Sequence, residues 1–130
     1  ARTAQEAAEA VGATVGQIVK SLVFRGRDSG EAILLLVGGD RRVDERKAAR
    51  FAGEPIERPD ADFVRAATGF AIGGVSPLGS TKPMRIAIDA GLLEQEVVWA
   101  AAGSPYHVFE TRPKMLAEAV QASVADLTSG

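Results

Sequence analysis

The 130 residues suit one domain around one sizeable core, and an apolar share of 46% excludes a disordered chain. The absence of cysteine rules out disulfides, thiolate zinc sites and thiol nucleophiles, and it fits a reducing cytoplasmic setting. A net charge of −2 denies the chain the basic field of a duplex-DNA binder, though local clusters can still meet a short stretch of RNA backbone. No apolar run approaches the roughly 20 residues needed to cross a bilayer, so no membrane is expected as a partner.

In chain order, Thr3-Ala4-Gln5-Glu6 has the form of a capping box, and Ala4, Ala7, Ala8 and Val11 follow at helical spacing up to a stop at Gly12. Ile18 to Phe24 is rich in β-branched and aromatic residues and reads as a strand. A turn over Gly26 to Gly30 leads to Ala32–Val37, a continuous apolar strand expected to be covered on both faces, and the two strands read as a hairpin. Asp44 is placed to cap a helix that runs to Phe51 and stops at Gly53, and Asp60 to cap another ending at Gly69. Phe70 to Ile72 reads as a short strand feeding a glycine-rich loop. Strands follow at Arg85–Ile88 and Val97–Ala101, then a turn at Gly103-Ser104-Pro105, a last strand at His107–Phe109 and a helix from Thr111 through Val120. Hairpins with interspersed helices predict an α/β (α+β) single domain with a mixed, largely antiparallel sheet.

Four features could carry chemistry. Lys20 shares a strand face with Ile18, Leu22 and Phe24, and both faces of that strand are mainly apolar. Its ammonium must either snorkel to the rim or line a cavity that expects an anion or a carbonyl. The second feature is Gly73-Gly74-Val75-Ser76-Pro77-Leu78-Gly79. A strand ending in such a loop can aim several amide N–H groups at a carbonyl oxygen or phosphate, although most loops of this composition are turns. It matches neither a Walker A loop nor a dinucleotide fingerprint.

The third feature is Gly103-Ser104-Pro105 with His107, the single histidine. Neither Ser76 nor Ser104 lies in a nucleophile elbow, so a serine triad has little support, and one histidine makes no metal cluster. The fourth is the basic group Arg41, Arg42, Arg46, Lys47 and Arg50, which reads either as a solvated helix face or as a surface for an acceptor stem, extended by Lys82 and Arg85.

Together these segments resemble the YbaK/prolyl-tRNA synthetase-associated (INS-like) editing domain family, from about Thr3 to Leu116. Three matches carry the resemblance. Gln17 to Phe24 is similar to the family's lysine-bearing strand, Thr68 to Gly79 to its G-x-x-x-P loop, and Trp99 to Phe109 to its late strand–turn–strand. The resemblance implies a barrel-like mixed sheet surrounded by helices and one editing domain over residues 1–130, with the family's N-terminal segment missing. It implies hydrolysis of a mischarged aminoacyl-tRNA, commonly tRNA for proline carrying alanine or cysteine, and the expected enzyme acts in trans. With no cysteine nucleophile, metal cluster or convincing triad in the residue inventory, the substrate's own 2′-hydroxyl is expected to help position or activate water, and no cofactor or metal is expected. The expected partners are the acceptor end of aminoacyl-tRNA and prolyl-tRNA synthetase.

Under this resemblance Lys20, Gly73 and Gly74 are the catalytic positions. Ser21, Val75, Ser76, Pro77, Gly103, Ser104 and His107 surround the substrate, and Arg46, Lys47, Arg50, Lys82 and Arg85 meet the tRNA backbone. His107 is similar to a histidine that limits pocket size in synthetase-embedded members. Val108 stands where members acting on cysteinyl-tRNA often carry aspartate. The alternative reading is a non-catalytic tRNA-end or synthetase-binding module of the same fold. A small-molecule sensor using the same cavity ranks third.

Overall fold

The computed structural model describes residues 3–72, 74–78, 83–104 and 107–129, with the side chain of Ser104 excluded. It contains helices α1 (Ala4–Val11), α2 (Glu45–Ala52), α3 (Ala61–Thr68) and α4 (Pro113–Val120). The strands are β1 (Val19–Gly26), β2 (Ala32–Gly38), β3 (Arg42–Val43), β4 (Ile56–Glu57), β5 (Arg85–Asp89), β6 (Val98–Ser104), β7 (His107–Thr111), β8 (Ser123–Ala125) and β9 (Thr128–Ser129).

The predicted caps form as the side-chain chemistry dictates. Thr3 accepts the N–H of Glu6, Asp44 those of Arg46 and Lys47, and Asp60 that of Phe63. Each supplies an acceptor to a first-turn donor that has no carbonyl partner inside its helix. Gly12, Gly53 and Gly69 end these helices with φ of 71°, 78° and 80°, a left-handed conformation that costs a residue without Cβ little. The last helix begins at Pro113 rather than at Thr111, because proline at the first helical position gives up an N–H that would be unpaired anyway.

The main sheet has five strands in the order β4-β1-β2-β5-β8. β1 pairs antiparallel with β2 and β4, whereas β2–β5 and β5–β8 are parallel, so the sheet is mixed rather than largely antiparallel. It is open, with β4 and β8 at its margins. The ribbons β3–β9 and β6–β7 stand apart as two-stranded sheets, in place of the expected barrel-like closure. Phe70 to Ile72 forms no strand. The Thr68 hydroxyl accepts the Phe70 N–H at 3.0 Å, turning the chain as it leaves α3.

β2 is buried on both faces, as its unbroken apolar run requires. One face, with Leu34 and Leu36, packs with Val64 of α3, Val98 of β6 and Leu116 of α4. The other, with Ile33, Leu35 and Val37, packs with Ala48 and Ala52 of α2 and with Leu127. The buried carboxylate of Asp89 joins β5 to the last residues. It accepts the N–H of Leu127 at 2.8 Å and the hydroxyl of Thr128 at 3.1 Å. β4 stops at Glu57, and two residues on stands Pro59, which has no N–H to continue the ladder along β1.

Candidate active site

A cavity of about 470 Å³ opens beside β1 where β4 has ended. Its lining includes Val19 to Phe24 of β1, Thr3, Ala4 and Ala7 at α1, Arg58 and Pro59, Val64 of α3, Ile72 and Val75 of the glycine-rich segment, and Trp99, Ala101 and Val108 of the β6–β7 hairpin. Among the described residues the ionisable side chains of this lining are Lys20 and Arg58, both cationic. The walls are otherwise mostly apolar, so an anion or a polarised carbonyl entering it meets weakly screened positive charge.

Lys20 is half-buried, and its ammonium donates to the main-chain carbonyl of Arg41. Burial pushes its pKa below the usual lysine range. Asp40 opposes that shift, while Arg42 and Arg58 reinforce it. The lysine therefore lines the cavity while bonding a carbonyl near its rim, between the two alternatives left by the strand pattern. Its neighbour Ser21 points to the opposite face of β1 and also lines the cavity. The Ser21 Oγ is buried and has no hydrogen-bond partner among the described residues.

The glycine-rich segment reaches the cavity through Ile72 and Val75. Gly74, Ser76 and Pro77 are buried behind Val75. The Gly74 N–H is bonded to the Ala71 carbonyl at 3.0 Å, and the Ser76 hydroxyl accepts the Leu78 N–H at 3.1 Å, so both hold the turn itself. Gly73 lies outside the described residues, as does Lys82. On the hairpin, Val108 faces the cavity, while His107 is exposed and does not line it. Gly103 is exposed with φ of 98°, and Ser104 contributes its backbone to β6 opposite His107.

The basic residues divide. Arg46 and Arg50 are exposed on α2. Lys47 instead donates to Asp126 at 3.1 Å and to the Thr128 carbonyl at 2.9 Å, tying α2 to the end of the chain. Arg85 donates to the Phe51 and Ala52 carbonyls at 2.8 Å each and lies over the Phe51 ring, which satisfies the last turn of α2.

Sequence reasoning missed Arg58. Its guanidinium lies 5.4 Å from the Phe24 ring centroid and its Nε is 3.8 Å from Glu45. The available signal was Arg58-Pro59, a residue held extended by the proline after it, directly beyond a short strand. Trp99 and Thr3 were likewise assigned only to secondary structure, and both line the cavity.

The sequence model of the aminoacyl-tRNA editing domain family matches residues 1–119, and the chain belongs to that family. It is 34% identical to the Bacillus subtilis (strain 168) protein YwhH over 116 residues, covering 89% of this chain and 73% of YwhH. A relative from Enterococcus faecalis carries the provisional name Cys-tRNA(Pro)/Cys-tRNA(Cys) deacylase EbsC. It is 25% identical over 128 residues, covering 98% of this chain and 77% of the relative. A crystal structure provisionally described as a trans-editing enzyme for prolyl tRNA synthetase superposes with a TM-score of 0.93 at 51% identity, covering 99% of this chain and 81% of the other. Among the described residues no helix is long and apolar enough to cross a membrane, and no cluster of histidine and carboxylate side chains could hold a metal ion.

Proposed function

We propose that this protein is a cytoplasmic deacylase that acts in trans on mischarged aminoacyl-tRNA, with tRNA for proline carrying a small amino acid as the substrate class. The observation that carries the proposal is the joint placement of Lys20 and Val75 of the glycine-rich segment on one cavity, in a chain of the editing family.

In this reading the ribose of the terminal adenosine and its ester lie along β1. The Lys20 ammonium and the Arg58 guanidinium stabilise negative charge on the nearby phosphate and on the ester oxygen. Water adds to the ester carbonyl carbon, the bond from that carbon to the ribose oxygen breaks, and the departing oxygen takes up the proton. The substrate's neighbouring ribose hydroxyl positions the water, which suits a cavity with no carboxylate or histidine among the described lining residues. Val75, Ala101 and Val108 narrow the space for the amino-acid side chain. Such walls exclude large side chains, but they separate neighbours differing by one methylene by only about 1–3 kcal/mol. The exposed Arg46 and Arg50 supply salt-sensitive contacts to the RNA backbone.

The test is a panel of tRNA for proline charged with alanine, serine, cysteine or proline, incubated with the protein and with Lys20→Ala. Faster ester loss than in buffer, reduced in the variant, is the expected result. Salt-dependent binding with every ester surviving at enzyme excess would replace the deacylase with a non-catalytic tRNA-end module.

A further inference from the structure

Part of the β1 margin beside the cavity has no strand partner among the described residues, and its polarity can be read from the register. Gly39 N–H bonds to Ile18 C=O at 2.7 Å, and Gly26 N–H to Glu31 C=O at 2.9 Å. Both belong to the β1–β2 register, so the even-numbered residues from Ile18 to Gly26 exchange hydrogen bonds with β2. The odd-numbered residues direct their N–H and C=O groups away from β2. At one end of this free margin the pair Arg25–Glu57 joins β4, and at the other Ile18 is bridged to Trp99. Ser21 and Val23 lie between, without a strand partner on that side among the described residues, and both line the cavity. Pro59 faces this gap and cannot supply an N–H to it.

We infer that this free margin reads a 6-aminopurine ring, with the Ser21 N–H donating to purine N1 and the Ser21 C=O accepting from the 6-amino group. The inference rests on the editing reading, which brings a terminal adenosine to Lys20. Extended backbone presents N–H and C=O of one residue side by side and nearly parallel, a donor beside an acceptor. The Watson–Crick edge of adenine presents an acceptor beside a donor at matching positions. An ammonium group fits the same place poorly, because Lys20 and Arg58 are cationic and no carboxylate lines the cavity among the described residues. The flat apolar faces of a purine suit walls formed by Val64, Val75 and Trp99.

The test uses the full chain with amide-linked, non-hydrolysable 3′-alanylamino nucleosides that carry adenine, hypoxanthine or unsubstituted purine. Binding is followed by amide NMR. Hypoxanthine exchanges the acceptor and donor of the edge, and unsubstituted purine lacks the 6-amino donor. The expected result is adenine bound at least tenfold more tightly than hypoxanthine, with purine between them. The Ser21 amide proton should move downfield with adenine and not with hypoxanthine. Equal affinity for all three bases would overturn the assignment of the base edge and leave the deacylase proposal standing. Failure of all three to bind would overturn both.

Discussion

Lys20 and Lys47 are both part-buried lysines that donate to a main-chain carbonyl, yet they serve different ends. Lys47 also meets the carboxylate of Asp126 within salt-bridge distance and ties α2 to the segment around β9. Lys20 forms no ion pair among the described residues, and it keeps its charge beside a cavity in which Arg58 is the other ionisable side chain among the described lining residues. Composition cannot separate the two. What separates them is ion-pair contact among the described residues: Asp126 holds Lys47 at 3.0 Å, while Asp40 acts on Lys20 without pairing with it, and a cation not held in this way is available to a ligand.

Substitutions sharpen this contrast. Lys20→Ala is expected to lower the deacylation rate by about 100-fold, comparable to losing one preorganised charge stabiliser, with little change in urea midpoint. Lys47→Met should do the reverse, costing about 1–2 kcal/mol in urea unfolding through lost charge-assisted bonds while the rate stays within about twofold. Arg58→Ala should fall between them, with about a tenfold loss of kcat/KM that shrinks as salt rises. A comparable loss from Lys47→Met would break the comparison.

Acidity offers two smaller tests. Since burial depresses the Lys20 pKa, the charged form is lost earlier than in a free lysine as pH rises. The wild-type rate should therefore turn down on the alkaline side below the usual lysine range, and Lys20→Arg should move that limb to higher pH. The Glu54 carboxylate accepts the N–H groups of Asp28 and Ser29 at 2.8 and 2.9 Å. Hydrogen bonds from Ser29 first, and then from Asp28, hold its pKa below the usual carboxylate range. Its folded pKa is lower than its unfolded one, so its stabilising effect is present above the unfolded pKa and lost as pH falls through the folded pKa. Glu54→Gln should flatten stability against pH in that acid window, with no effect on the rate at neutral pH.

Local chemistry made the helices legible. The stops at Gly12, Gly53 and Gly69 and the caps at Thr3, Asp44 and Asp60 are short-range requirements, and each formed where the sequence placed it. The double burial of Ala32–Val37 was equally plain from its unbroken apolar run. Parallel pairing was not legible, because β5 joins β2, and β8 joins β5, through long connections that leave no local mark. β3, β4, β8 and β9 are only two or three residues long, too short to show a period. At the candidate site Lys20 stood out as a charge in an apolar strand, and Ser21 and Val75 entered with it. Arg58 stayed hidden because its importance depends on packing over Phe24, some 34 positions away in the chain.

The pairing of β3 with β9 has a consequence for biosynthesis. Leu127 is fully enclosed in the core between the sheet and α2, and Thr128 pairs with Val43, while Asp89 waits for both residues to complete its bonds. A nascent chain emerging from the ribosome can therefore assemble the β1–β2 hairpin early, but one side of its core stays open to solvent until residue 129 has cleared the exit tunnel.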